Sequence, residues 1–342
     1  MINASQPQDH PRIGNAPWRV AILDDFQDAA RTLDCFRQLD PFEVVVFRDR
    51  IEDEDALVAR LAGFDALIPI RERTQLTASL LERLPRLRVV SLTGPDSGQI
   101  DREACERLGI LILAGGRSGA STPELTWALI LAASRHIARE DRNLRAGGWQ
   151  GTLGRVLQGR RLGVLGYGTI GAPVARIGEA FGMKVWVWGG ETSRGRATAD
   201  GVACAPDRAT FYAESDVVTV HLKLSPRSAG TVTAEDFARM KPDSLFVNTS
   251  RAQLVVPGAL QAALRAGRPG QAALDVFEQE PVTGPIDGEP GLQRLDNVVL
   301  TPHLGYVTKE GYESLFGAAI GNLVEAHARG HERPRAPSTP AA

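Results

Sequence analysis

Arg161-Leu162-Gly163-Val164-Leu165 is an apolar run of strand length, and Gly166-Tyr167-Gly168-Thr169-Ile170-Gly171 follows it directly. Residues 170–181 then fit a helix. In that context the GxGxxG spacing cradles a dinucleotide. The first glycine permits a tight turn, the second lets backbone approach a pyrophosphate, and the third lets helix pack close to strand. The anion lies at a helix N-terminus, where unbonded N–H groups and the helix dipole favour negative charge. Gly166, Gly168, Thr169, Ile170 and Gly171 are therefore the first candidate binding residues. About 20 residues further on, such sites carry an acid for the ribose 2′-hydroxyl. Here Gly189-Gly190 stands in that place, with Glu191 just beyond and Arg194 and Arg196 available to pair with a 2′-phosphate. Both NAD and NADP stay open on this reading.

The alternation of strand and helix extends outward from this stretch. Downstream, strands are expected over residues 184–188, 217–221, 244–249, 272–276 and 298–301, with helices over 234–240, 257–266 and 309–328. Thr233 and Asp236 form a helix-start pair. Upstream, residues 20–23, 44–47, 66–70, 87–92 and 110–113 are short apolar runs. Amphipathic stretches of helical length, 25–39, 53–61 and 101–108, lie between them. Near-continuous apolar strands separated by helices mark a parallel sheet covered on both faces. A Gly- and Ser-rich loop, residues 115–121, is the candidate hinge between the halves. It leads to Thr122 as N-cap, Pro123 at the first helical position, and an apolar helix over 125–137 containing Trp127, a candidate subunit interface.

The chain has 342 residues, enough for two domains. Its 39 Lys and Arg against 41 Asp and Glu leave a net charge of −2, with no basic excess to suit nucleic acid or an anionic membrane surface. Cys35, Cys105 and Cys204 are far apart and lack metal-ligand spacing, so neither a disulfide framework nor a metal site is expected. Residues 1–17 are polar, with no apolar signal segment, and the longest apolar stretch, 125–133, is too short to span a bilayer. A cytoplasmic location is the expectation. The Pro- and Ala-rich tail, residues 331–342, is expected to fray.

Three segments stand at expected strand ends in the second half: Asn248-Thr249-Ser250-Arg251-Ala252, Leu274-Asp275-Val276-Phe277-Glu278-Gln279-Glu280-Pro281 and Thr301-Pro302-His303-Leu304-Gly305. Ligands of open α/β sheets bind beyond the carboxyl ends of the strands, so all three face the cofactor side. Arg251 offers a planar, permanently charged fork for an anionic group. His303 is a residue type that gives and takes protons near neutral pH. Glu280 can take a hydrogen bond from the second imidazole nitrogen and fix the tautomer.

With GYGTIG, NTSRA, LDVFEQEP and TPHLG in this order, the chain resembles the D-isomer-specific 2-hydroxyacid dehydrogenases over about residues 18–328. Arg251 and Glu280 are 29 positions apart, and Glu280 and His303 are 23 apart, spacings similar to that family's. The resemblance implies an α/β fold of two doubly wound parallel-sheet domains. One is a flavodoxin-like substrate domain, residues 1–118 and 305–342; the other is a Rossmann NAD(P)-binding domain, residues 119–304. It implies hydride transfer between NAD(P)H and a 2-oxo acid to give a D-2-hydroxy acid, with Arg251, Glu280 and His303 catalytic, in a homodimer. It further assigns cofactor contacts to His221, Leu222, Thr249, Ser250, Asp275 and Gly305, and substrate contacts to Gly94, Ser97 and Arg251. Pro95, which lacks an N–H, and Asp96, which repels anions, depart from the family's substrate loop. The same motifs also suit an NAD(H)-sensing binding protein on this scaffold, like the C-terminal-binding-protein corepressors, or a phosphite dehydrogenase.

Overall fold

The computed structural model describes residues 17–95, 98–117, 119–287 and 291–330. The chain divides into two compact units, Met1–Arg117 with Tyr312–Ala342, and Ser118–Gly311.

The first unit holds a five-stranded parallel sheet: β1 (Arg19–Leu23), β2 (Glu43–Val46), β3 (Ala66–Pro69), β4 (Val89–Ser91) and β5 (Leu111–Leu113). Its order is β2-β1-β3-β4-β5, the flavodoxin-like arrangement. Val20 of β1 pairs with Val44 of β2 and Ala66 of β3. β3 and β4 are buried throughout, as near-continuous apolar runs require. Asp53, Thr77 and Asp101 each cap a following helix by accepting an N–H at the third helical position. The helix Lys309–Ala328 covers this sheet, and Ser91 donates to its Ala319 carbonyl at 2.7 Å.

Residues 25–39 form two 3₁₀ segments, Ala30–Thr32 and Asp34–Leu39, rather than the expected helix-length element. The cause is competition for N–H groups. Asp25 accepts from Ala29 and Ala30, Glu313 accepts from Asp34 and Cys35 at 2.9 and 2.7 Å, and Leu33 between them is extended.

The second unit holds a seven-stranded parallel sheet: β6 (Arg161–Leu165), β7 (Lys184–Trp188), β8 (Ala203–Cys204), β9 (Val217–Val220), β10 (Leu245–Asn248), β11 (Gln271–Leu274) and β12 (Val298–Leu300). Its order, β12-β11-β10-β9-β6-β7-β8, is the Rossmann arrangement with one strand added. The order reverses between β6 and β9, where Leu165 pairs with Val220. Gly166 and His221 therefore leave the sheet side by side at the switch point. The expected capping box at Thr233 and Asp236 is present.

The helix after the hinge spans Ser121–Ser134, with Ala120 as N-cap and no side-chain cap. Thr122 is not the cap: it lies inside the first turn and donates from Oγ1 to the Gly305 carbonyl at 2.8 Å. The helix stops three residues short of Ile137 because His136 adopts φ 55°, and a second helix, Ile137–Arg145, begins there. Trp127 is a core residue rather than a surface one. It is 4% exposed, donates from Nε1 to the Val174 carbonyl at 3.1 Å, and stacks on Phe181 with ring centroids 4.8 Å apart. Ser118, at the proposed hinge, and the terminal tail lie outside the described residues. Trp127→Ala is expected to cost about 3–5 kcal/mol of stability, read from the denaturant midpoint. A loss below about 1 kcal/mol would place Trp127 outside the core.

Candidate active site

The glycine loop has the geometry a pyrophosphate needs. Gly166 adopts φ 94°, and a Cβ there would stand 2.8 Å from the His221 carbonyl oxygen. A Cβ on Gly171 would stand 2.1 Å from the Gly166 carbonyl oxygen, so helix and strand meet only through glycine. A Cβ on Gly168 would meet nothing within 4 Å, which leaves its backbone open to a ligand. The helix ladder begins with Ala172 donating to Gly168, so the N–H groups of Thr169 and Ile170 precede it and suit an anion.

This loop is clipped to the segment beyond β7. Tyr167 donates its N–H to Ser193 Oγ at 3.2 Å and its hydroxyl to Asp200 Oδ2 at 2.9 Å. Burial, reinforced by Asp200, pushes the Tyr167 phenol up to about 12. Gly190 is the N-cap of the helix Glu191–Ala199, an element absent from the helices expected from the sequence. Glu191 opens that helix and is exposed, and the Arg194 guanidinium lies 5.3 Å from the Trp188 ring centroid.

Next to the switch point, His221 Nε2 shares a hydrogen bond with Thr219 Oγ1 at 2.9 Å. Burial pushes its imidazole down to about 3, so the ring is neutral at ordinary pH. Ser250 donates from Oγ to the Leu222 carbonyl at 2.6 Å, and Thr249 Oγ1 bonds Thr126 Oγ1 at 2.8 Å. Asp275 is fully buried. It accepts from Thr301 Oγ1 and Leu304 N–H on Oδ1, each at 2.7 Å, and from Gly305 N–H on Oδ2 at 2.9 Å. The sequence resemblance gave Asp275 a cofactor role; the structure also shows it holding the histidine turn.

Arg251, Glu280 and His303 follow three neighbouring strands, β10, β11 and β12. His303 Nδ1 meets Glu280 Oε2 at 2.5 Å, while Glu280 Oε1 accepts the Phe277 N–H at 2.9 Å. His303 adopts φ 54°, and its ring stands edge-on to Tyr306 with centroids 5.3 Å apart. Asn248 braces the arginine loop from both ends, accepting the Ser250 N–H and donating to the Arg251 carbonyl, each at 2.9 Å. Arg251 itself donates from Nη1 to the Ser250 carbonyl at 2.7 Å.

In the first unit, Gly94 accepts the Gly115 N–H at 2.9 Å, and a Cβ on Gly94 would stand 2.1 Å from Arg71 Nη1. Arg71, just beyond β3 at the carboxyl end of the sheet, is a neighbour of Gly94 that the sequence reading did not single out. Ser97 and Asp96 lie outside the described residues. Among the described residues, no group of three or more His, Cys, Asp or Glu side chains could hold a metal ion.

The family model for the NAD-binding domain of D-isomer specific 2-hydroxyacid dehydrogenases matches residues 127–305. The chain belongs to this family. A hydroxypyruvate reductase from Thermotoga maritima is 33% identical over 298 residues, covering 86% of this chain and 94% of the relative. A crystal structure described as a phosphoglycerate oxidoreductase from Vibrio cholerae is 47% identical, with a TM-score of 0.87 over 91% of this chain and 99% of that one. The D-3-phosphoglycerate dehydrogenases of Archaeoglobus fulgidus and Methanocaldococcus jannaschii are 34% and 33% identical, and this chain spans only 48% and 52% of their lengths. A nicotinamide cofactor follows from the family, and the open Gly168 backbone fits it. Tyr167→Phe removes one hydrogen bond from the phosphate loop and is expected to raise the dinucleotide KM about 2- to 10-fold with kcat unchanged. Steady-state kinetics checks this, and an unchanged KM would detach the clip from binding.

Proposed function

We propose that the chain interconverts a 2-oxo acid and a D-2-hydroxy acid, using NAD(H) or NADP(H). The observation that carries this reading is the 2.5 Å contact between His303 Nδ1 and Glu280 Oε2. With Nδ1 engaged, Nε2 is the ring nitrogen left for substrate. It gives a proton to the carbonyl oxygen during reduction and takes one from the hydroxyl during oxidation. Glu280 fixes the ring's orientation and compensates the charge of the imidazolium. Arg251 binds the substrate carboxylate and polarises the carbonyl as charge develops on its oxygen. The nicotinamide, when bound, supplies the hydride in reduction and accepts it in oxidation. Its neighbours on this chain are assigned as His221, Leu222, Thr249, Ser250, Asp275 and Gly305. A neutral His221 adds no positive charge beside that ring. Gly94 is the substrate contact proposed for the first unit.

No acid stands at Gly189 to hold a ribose 2′-hydroxyl, and Gly190 opens onto free space. Position 189 therefore lacks the carboxylate that rejects a 2′-phosphate, and Glu191, the first residue of the helix that follows, is the next acid in the chain. The assay decides the cofactor: NADH and NADPH are each offered glyoxylate, hydroxypyruvate, pyruvate and larger 2-oxo acids while the loss of near-ultraviolet absorbance is followed. Arg251→Ala and His303→Ala are each expected to lower kcat about 10²- to 10⁴-fold while cofactor binding, measured by calorimetry, persists. Undiminished turnover in either variant overturns that residue's role.

The protein is further proposed to act as a homodimer in the reducing cytoplasm. Its three cysteines are free, and no helix among the described residues is long and apolar enough to cross a membrane. The dimer rests on an apolar surface after the buried helix Ser121–Ser134. Ile137, Leu144 and Val156 are exposed there, with Trp149 76% and Leu153 95% exposed. Glu140 holds this strap in shape by accepting from Gly151 N–H at 3.1 Å and Thr152 Oγ1 at 2.5 Å. A rigid apolar surface of this kind marks an interaction site, and self-association is the commonest form such a contact takes. Trp149→Glu with Leu153→Glu is expected to halve the mass measured by sedimentation; an unchanged mass would refute this interface.

A further inference from the structure

The second unit holds a cavity of about 600 Å³ behind the Arg251 loop. We propose that it binds a neutral, largely apolar small molecule that alters turnover through the segments flanking Arg251 and Glu280. The effect on turnover rests on the catalytic roles proposed above; the binding does not.

Three observations converge on this. The volume lies within the range of sites for drug-sized ligands. Its walls are mainly apolar: Leu260 from the helix after the arginine loop, and Phe277 and Ile286 from the segment that carries Glu280. At its rim stand Val256 and Val282, 38% and 41% exposed, two large apolar side chains left in water on facing segments. The charge pattern then selects the ligand. Among the described residues, the lining includes Glu278 and Asp287 and no Lys or Arg. An anionic 2-oxo acid or a pyrophosphate is repelled there. Asp287 is already engaged, accepting from Gly258 N–H at 2.5 Å and Gln261 N–H at 3.2 Å, so it closes one end of the cavity rather than calling for a cation. A neutral apolar molecule gains by covering the two valines and loses nothing to the carboxylates.

The coupling follows from what an occupant touches. Asn248 and Ala252 line the cavity; the first holds the Arg251 carbonyl and the second is the next residue in the chain. Phe277 lines it as well, and its N–H is the anchor of Glu280 Oε1. Pressure on these three residues shifts the guanidinium and the carboxylate behind His303.

The test is a fluorescence titration of the full chain with N-phenyl-1-naphthylamine, an uncharged apolar dye. It is run alone and with saturating NAD⁺ or NADP⁺. One dye per chain is expected, with affinity unchanged by the cofactor. Val256→Glu and Val282→Glu, both at exposed positions, are expected to weaken it at least 10-fold while circular dichroism stays as in the parent. Saturating dye is expected to change the parent's kcat at least 2-fold and to leave both variants unaffected. Equal dye affinity in parent and variants, or displacement by the cofactor, would overturn the site. Binding without any effect on an active enzyme would overturn its role in turnover. A chain with no turnover in the absence of dye would instead count against the proposed reaction, and the titration would still decide the cavity.

Discussion

One buried carboxylate holds the reactive end of the second sheet together. Asp275 is fully buried at the tip of β11, and burial drives its carboxyl above the usual carboxylate range despite three donors that pull the other way. Those donors are the Thr301 hydroxyl and the N–H groups of Leu304 and Gly305, so the whole turn after β12 is gathered around one side chain. Without them the cost of desolvating the charge would fall on the fold. With them, the turn is determined tightly enough to keep His303 at φ 54°, a conformation that a non-glycine residue adopts only when its surroundings impose it. Gly305 completes the arrangement: a Cβ there would stand 3.2 Å from Asp275 Oδ2 and 3.4 Å from Thr122 Oγ1.

The two acids at this end of the sheet divide their work by environment. Asp275 is sealed from water and spends its lone pairs on backbone and hydroxyl donors, which makes it a positioning group. Glu280 has a side chain 33% exposed and gives one oxygen to the Phe277 N–H and the other to His303. It therefore fixes an imidazole while remaining partly open to solvent. Asn248 does for Arg251 what Asp275 does for His303, by bonding within its own loop. Arg251 and Glu280 are thus each held by a neighbour three residues away, Asn248 and Phe277, while His303 is held by Glu280 from the adjacent strand end, 23 residues away.

The sequence made most of this legible, and the exceptions have physical causes. Buried parallel strands read as apolar runs because both faces are covered, and every expected strand is present to within two residues. Gly166 and Gly171 stand where a Cβ would collide with backbone, a steric and local requirement of the kind a sequence can carry. What escaped was set by contacts distant in sequence. Glu313 takes the N–H groups of Asp34 and Cys35, turning an expected helix into 3₁₀ turns, and no local pattern announces a partner 279 and 278 residues away. Thr122 has the side chain of an N-cap, yet it serves Gly305, 183 residues on. Trp127 looked like a candidate interface because an all-round apolar helix is compatible with either a core or a contact surface. The interface candidate lies one helix further on, in a segment whose charged residues concealed its apolar strap.

The cofactor's ribose end shows the same interplay, and it explains the absent acid. Position 189 is glycine because the backbone turns there directly from β7 into a helix. Gly189 adopts φ 156°, and a Cβ on it would stand 3.1 Å from the Cβ of Ser193. Ser193 cannot give way freely, since its hydroxyl receives the Tyr167 N–H inside the phosphate loop. An aspartate at 189 would therefore strain the turn and press on the residue that positions the pyrophosphate cradle. Gly190 carries neither burden: a Cβ there meets nothing within 4 Å. A side chain introduced beyond β7 therefore has room at 190, whereas at 189 it presses on Ser193 and through it on the Tyr167 N–H.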